Sequence, residues 1–382
     1  MRNILINIYY GTVGNAGLYL KRINDELQYI KLDIDIKSFV NYYFSFKGIE
    51  YYKIFFKYSQ YMKNRLARKF IKYFELIIDY SIIYFKIKRI SKKYGKIFIN
   101  YSLNENYIVT FYFLKALKRI KNVKVGITIH DIIPFYNDYP ELIMKKQKYF
   151  IKIADYYIVH NSFSSNYLKY YYAINDKKIY LFRFPIMDLK TIYNIYNKNN
   201  EEKNDNKIYF VMLGYLRKEK GIDLLIKAWE NIQDEFNNAY LIIAGNIPYK
   251  QNYQFQKLKN CDIIIKYLSD QEYIELIMKS HYIVLPYKIG TNSGVLSTIT
   301  SLGKPSITSN IQMFLESGLT IDDLIFINND YKSLYKVLRD TIIMHNEKYK
   351  VLCEKVKYNL KNYNSKFKLE ITNEISKLIV DN

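Results

Sequence analysis

The sequence predicts an α/β protein built as two parallel-sheet domains, and three observations lead there. Apolar runs that read as strands alternate with segments of helical periodicity along most of the chain. A polar, low-complexity stretch, "YNKNNEEKNDNK" (196–207), interrupts that alternation once, and it restarts directly afterwards. The length, 382 residues, suits two or three domains. The expected organisation is therefore a domain over 1–195, a linker over 196–207 and a second domain over 208–360. A helical tail over 361–382 is expected to pack back on the first domain.

The first half opens with a strand, "NILINIYY", a glycine loop, "GTVGNAG", and a helix, "LYLKRINDELQYI". "KLDIDIKSFV" alternates like a strand. Residues 51–94 are rich in aromatics and bases and read as largely helical. "KIFINY", "VKVGITIHD" and "YYIVHN" read as further strands, and "SFSSNYLKYY" as a helix with serines available as caps. The second half runs "IYFVMLG" (strand), "IDLLIKAWENI" (helix), then "AYLIIAG" and "CDIIIKYL" (strands). "SDQEYIELIMKS" places Ser269 and Glu272 in capping-box spacing. "HYIVLPY" is a strand, "SGVLSTITSLGKP" a short helix closed by Gly303 and Pro305, and the tail is helical.

Composition excludes several classes. With 49% hydrophobic residues the chain is not disordered. Its two cysteines, Cys261 and Cys353, form no CxxC pair, which fits a reducing compartment. No secretory signal opens the chain, and no uncharged run reaches the about 18 residues of a spanning helix. Glu75 and Asp79 interrupt the nearest run, "FELIIDYSIIYF". The net charge of +22 favours anionic partners. Lys, Ile, Asn and Tyr share A/T-rich codons, however, so the excess points to no single partner. No nucleic-acid-binding signature accompanies it.

Three stretches carry candidate chemistry. In "LGYLRKEKGIDLL", Arg217 and Lys220 follow a strand and precede a helix. A guanidinium fork and a compact ammonium there suit a diphosphate, although two bases in a loop also make an ordinary solvated face. In "TNSGVLST", Ser293, Gly294 and Val295 sit at a helix start, where free N–H groups and the helix dipole favour an anion. The plain alternative is a capping turn. In "TIHDIIPF", His130 and Asp131 end an apolar strand, suited to proton or hydrogen-bond work or to capping a loop. His160 and Asn161 end the next strand.

The order and spacing of "LGYLRKEKGIDLLIKAW", "LIIAG", "IIIKYLSDQEYIELIMKSHYIVLPY" and "SGVLSTITSLGKPSITSN" resemble the group 1 glycosyltransferases (glycosyltransferase family 4, GT-B fold). The resemblance implies two Rossmann-like domains facing each other across a cleft, the first for the acceptor and the second for a nucleotide-sugar donor. It implies that Arg217 and Lys220 hold the diphosphate and that Ser293, Gly294 and Val295 present phosphate-facing amides. "GNAGLYLKRI" matches the family's glycine loop, so Gly14 and Asn15 are implied to approach the diphosphate. His130 is implied to face the donor sugar, with Asn161 nearby. The family often carries a glutamate at each end of E-x7-E across the second stretch. Here those positions are Gly290 and Thr298, which leaves Thr298 a smaller hydroxyl contact. Glu316 stands where a trailing glutamate is common.

Asp33 and Asp35 form a DxD string in an alternating strand, read as a solvent-facing edge, so no metal and no other cofactor is expected. In residues 51–94, Phe55, Met62, Leu66, Phe70, Tyr73 and Ile77 recur at helical spacing among bases. That pattern fits either a core-facing stripe or a helix on an anionic membrane. The expected activity is hexose transfer from a nucleotide-diphosphate sugar to a hydroxyl of a glycan or lipid-linked acceptor. The expected location is the cytoplasm, peripheral on the inner membrane face. The rivals are an inactive sugar-nucleotide-binding relative and a sugar-nucleotide epimerase of similar build.

Overall fold

The computed structural model describes residues 2–9, 15–29, 34–41, 50–55, 57–102, 108–133, 140–186, 189, 206–247 and 253–381. The chain divides into two compact units. The first holds Met1–Pro185 and Phe367–Asn382, and the second Ile186–Lys366.

The first unit is a seven-stranded sheet with every described pair parallel. Its strands are β1 (Asn3–Tyr9), β2 (Ile34–Asn41), β3 (Tyr51–Phe55), β4 (Ile97–Ser102), β5 (Val123–Thr128), β6 (Tyr156–Val159) and β7 (Ile179–Leu181), in the order β3-β2-β1-β4-β5-β6-β7. The helices are α1 (Asn15–Tyr29), α2 (Arg65–Ile90), α3 (Ile108–Leu117), α4 (Pro140–Ile153) and α5 (Ser162–Tyr170). Parallel strands are covered on both faces, which is why β4 and β6 are buried throughout. Ile4, Ile6 and Ile8 pack with Leu76, Ile83 and Leu114 of α2 and α3 on one face. Leu5 and Phe98 pack with Ile23 of α1 on the other, together with Phe367, Ile371 and Ile375 from the end of the chain.

Two local expectations are corrected. Residues 51–94 do not begin as helix, because Tyr51–Phe55 form β3, parallel to β2. Aromatic residues favour a pleated, half-buried surface, and α2 starts only where the Asn64 side chain accepts from Leu66 N and Ala67 N. Asn161 caps α5 by accepting from Ser164 N at 2.7 Å, a role expected of the serines.

The second unit has six parallel strands: β8 (Ile208–Leu213), β9 (Ala239–Gly245), β10 (Cys261–Ile265), β11 (Tyr282–Leu285), β12 (Ser306–Ser309) and β13 (Ile325–Phe326). Their order is β10-β9-β8-β11-β12-β13. The helices are α6 (Ile222–Glu235), α7 (Asp270–Lys279), α8 (Gly294–Ser301), α9 (Gln312–Ser317), α10 (Tyr331–Ile343) and α11 (His345–Asp381). The capping box of α7 forms as its spacing predicts. Trp229 of α6 is fully buried among Phe210 and the strand residues of this core. Helix α11 begins in the second unit and ends in the first.

Candidate active site

The strand order of the second unit places β8 between β9 and β11. The chain steps outward from β8 to β9 and β10, then returns to the other side of β8 as β11. Such a reversal leaves a crevice outside the carboxyl ends of the two strands, where ligands bind in open α/β sheets. Arg217 and Lys220 follow β8, and the Ser293–Val295 turn follows β11. Two stretches about 75 residues apart in sequence thus meet at one sheet reversal.

Glycines let these loops close together. Gly221 has φ +70°, and a Cβ on it would lie 1.8 Å from the Pro286 carbonyl oxygen. Gly245, at the end of β9, has φ +145°, and its Cβ would lie 1.7 Å from the Gly214 carbonyl oxygen. The backbone after β8 is therefore packed directly on the ends of β9 and β11, and only glycine fits either contact.

Charges line the same loop. Arg217 Nε sits 2.7 Å from Glu219 Oε1, with both side chains mostly buried. Its guanidinium also lies 5.6 Å from the centre of the Tyr215 ring. Lys220 Nζ stands 3.6 Å above the ring centre of buried Tyr287. Lys288 Nζ donates to Asp223 Oδ2 at 2.7 Å, and its backbone N–H donates to the Glu219 carbonyl at 2.8 Å. Arg217 and Lys220 are thus held by neighbours rather than swinging from a solvated surface, which reduces the entropy lost on gripping an anion.

Helix α8 begins as its sequence suggests. Ser293 is the N-cap, and its Oγ accepts from Leu296 N at 3.1 Å. Gly294 and Val295 occupy the first two helical positions, whose N–H groups have no acceptor within a helix. Val295 reaches the β8 end, its Cγ2 being 3.6 Å from where a Gly214 Cβ would stand. Thr298 turns inward instead, donating from Oγ1 to the Gly294 carbonyl at 2.9 Å while buried. A Cβ on Gly290 would meet Met313 Cε and Sδ at 3.2 Å. Glu316 lies exposed on α9 and accepts from Gln312 Nε2 at 2.5 Å, a pair along the helix surface.

In the first unit the corresponding reversal falls between β1 and β4. Gly14 lies outside the described residues, and Asn15 is the first residue of α1. His130 follows β5 and His160 follows β6; their rings stack with centroids 5.4 Å apart. Tyr19 of α1 meets both edge-on, at 4.7 and 5.3 Å. His160 Nδ1 bonds the Phe182 carbonyl at 3.0 Å. Desolvation, and then the neighbouring His160, push His130 down to about 3. Desolvation pushes His160 down to about 4, opposed by the Phe182 carbonyl. Both imidazoles are neutral at pH 7, so His130 is a neutral hydrogen-bonding group and not a cation. Below them runs a buried polar ladder: Thr128 Oγ1 donates to Asn100 Oδ1 at 2.6 Å, and Asn100 Nδ2 donates to Asn7 Oδ1 at 3.0 Å. Asn161 uses its side-chain oxygen to cap α5.

Of the DxD string, Asp33 lies outside the described residues. Asp35 accepts from the Tyr94 hydroxyl at 2.6 Å and lies 3.8 Å from Arg2. Sequence reasoning missed Glu219, Tyr287 and Tyr19. The "RKEK" string contains the first, but an acid between bases reads as local charge balance. The partners of Tyr19 and Tyr287 arise only from folding.

Comparison with known proteins gives these arrangements a class. Residues 195–359 match the family described as Glycosyl transferases group 1, and residues 87–181 match the N-terminal domain described as Glucosyltransferase 3-like. No curated protein sequence matches the chain. Among solved structures, the fold is similar to sucrose-phosphate synthase from Thermosynechococcus elongatus (TM-score 0.64, 13% identity, covering 100% of this chain and 99% of that one). A glycosyltransferase from Rickettsia africae is similar too (TM-score 0.64, 15% identity, 100% and 99%). So is Anabaena HepE, solved in complex with UDP and glucose (TM-score 0.62, 12% identity, 100% and 100%). Two parallel-sheet units with these neighbours define the GT-B class of fold. The match to the group 1 glycosyltransferases falls wholly within the second unit, the one that holds Arg217, Lys220 and the Ser293 turn.

Proposed function

We propose that the protein transfers a hexose from a nucleotide-diphosphate sugar to a hydroxyl of a glycan or lipid-linked acceptor, as in the synthesis of cell-surface polysaccharide or glycolipid. One observation carries the reading: Arg217, Lys220 and the first N–H groups of α8 follow the adjacent strands β8 and β11 at the sheet reversal. Negative charge builds on the departing diphosphate during transfer. A guanidinium, an ammonium and a helix start stabilise it there without a metal ion. His130, neutral beside His160, offers the sugar or the acceptor hydroxyl a hydrogen bond. Asn161 contributes through its position beside His160. The protein acts from the cytoplasm.

The presence of UDP and glucose in the HepE structure makes a UDP-sugar the first donor to test. The protein is incubated with UDP-, GDP-, ADP- and TDP-sugars, with and without candidate acceptors and with EDTA, and diphosphate release is measured. The expected result is EDTA-resistant release with sugar transfer. Loss of donor binding in Arg217→Ala and Lys220→Ala is expected as well. Unchanged donor binding in both variants overturns the phosphate site, and binding with no turnover on any acceptor favours an inactive relative.

A further inference from the structure

Helix α2 carries a second apolar stripe on the face turned away from the core. Leu66, Phe70, Phe74, Ile78, Ile82 and Phe85 all point outward, from 41% to 78% exposed. Its two acidic residues point inward: Glu75 and Asp79 are buried, and Glu75 accepts from the backbone N–H groups of Tyr58 and Ser59 at 2.5 and 3.2 Å. The core of the unit is served by a different set of residues, Leu76, Tyr80, Ile83 and Ile87. The outward set forms one stripe along most of a 26-residue helix, and the rings of Phe70 and Phe74 lie 5.0 Å apart within it.

Charge frames the stripe. Exposed Lys63 and Lys69 stand at its amino end, and exposed Lys88 and Arg89 at its carboxyl end. Between residues 65 and 90 no acid faces outward. Among the described residues no helix is long and apolar enough to cross a membrane. An apolar face with basic ends and no outward acid matches an interface whose interior is apolar and whose surface is anionic. A second copy of this chain is a poor occupant, because pairing two such faces gathers only cations and each copy already carries a net charge of +22.

We propose that the outward face of α2 docks on an anionic bilayer, with the helix lying in the headgroup plane and Phe70, Phe74 and Phe85 inserted among the upper acyl chains. Docking requires no nucleotide sugar, so it stands or falls apart from the transfer reaction. The test is co-sedimentation of the full chain with vesicles of equal phosphatidylglycerol and phosphatidylcholine, against pure phosphatidylcholine. Binding is expected on the anionic vesicles and is expected to weaken with salt. The triple variant Phe70→Ser, Phe74→Ser, Phe85→Ser is expected to lose at least about tenfold in partitioning, with its circular dichroism unchanged because all three side chains are exposed. Lys88→Glu with Arg89→Glu is expected to lose about fivefold for each charge removed. Equal binding to both vesicle types, or wild-type binding by the triple variant, overturns the proposal. A dimer in solution that the triple variant converts to a monomer overturns it in favour of a second copy.

Discussion

Arg217 and Glu219 form an ion pair of 2.7 Å inside the loop that follows β8. The acid is two residues from the base it holds, and Lys220 follows it directly. Glu219 therefore orients the guanidinium and also places a negative charge beside the proposed diphosphate. Glu219→Gln keeps an acceptor for orientation and removes the charge. We expect it to tighten nucleoside-diphosphate binding by about three- to tenfold, the scale of one partly screened charge contact. Arg217→Ala is expected to weaken binding by about 10- to 150-fold, the range for lost hydrogen bonds to a charged group. Calorimetric titration with UDP decides both, and weaker binding by Glu219→Gln would refute the argument that its charge opposes the diphosphate.

Two glycines in the second unit separate conformational strain from crowding. Gly221 and Gly318 share nearly the same left-handed backbone, φ +70° and +66°. A Cβ on Gly318 meets nothing within 4 Å, whereas one on Gly221 would overlap the Pro286 carbonyl. Gly318→Ala is expected to cost about 1 kcal/mol, from backbone strain alone. Gly221→Ala is expected to cost about 3 kcal/mol or more and to loosen donor binding, because the β8 loop must move off β11. Urea denaturation of the two variants tests this, and equal losses would show that the close approach is unimportant.

Why some features could be read in the sequence and others could not follows from how locally each is encoded. The run "IYFVML" is buried at every position, so its strand was legible from composition alone. The α7 capping box and the start of α8 lie within four residues and were legible for the same reason. That the Arg217 loop and the Ser293 turn follow adjacent strands depends on the strand order of the sheet, which no local pattern encodes. The stripe of α2 was visible as a period, but periodicity does not say which side faces the core. Leu66, Phe70, Tyr73 and Ile77 turned outward, while Glu75 and Asp79 turned in. The contacts of Tyr19 with His130 and His160 span more than a hundred residues, and no local pattern encodes them.

The stacked histidines make the first unit acid-sensitive. Burial lowers His130 to about 3 and His160 to about 4, against an ordinary value of 6.5. Below pH 6.5 the unfolded chain takes up protons that the folded chain refuses. Stability is therefore full above about pH 6.5 and drains as pH falls toward 4, by up to about 1.4 kcal/mol per pH unit for each histidine. The double variant His130→Gln, His160→Gln removes this uptake. Its melting temperature should fall less between pH 6.5 and 4 than that of the parent, and parallel curves would contradict the account.

The end of the chain is structural to the first unit. Phe367 is fully buried, its ring 6.3 Å from that of Phe182, with the Arg22 guanidinium 5.6 Å from its centre. Three residues on, Glu370 receives the Arg183 backbone N–H at 2.9 Å, Nε at 3.0 Å and Nη2 at 2.6 Å. A two-pronged contact of this kind fixes the register of α11 along the strand end, and Ile371, Ile375 and Leu378 then fill the same core. Phe367→Ala is expected to cost about 3–5 kcal/mol and lower the melting temperature of the first unit by about 10 °C. Tyr358, on the same helix but 66% exposed, is the matched control, and Tyr358→Ala should change stability by no more than about 0.5 kcal/mol. Calorimetry resolves the two cases. If Phe367→Ala melts with the parent, the packing of α11 contributes little to the first unit, and its burial there reflects available space rather than stabilisation.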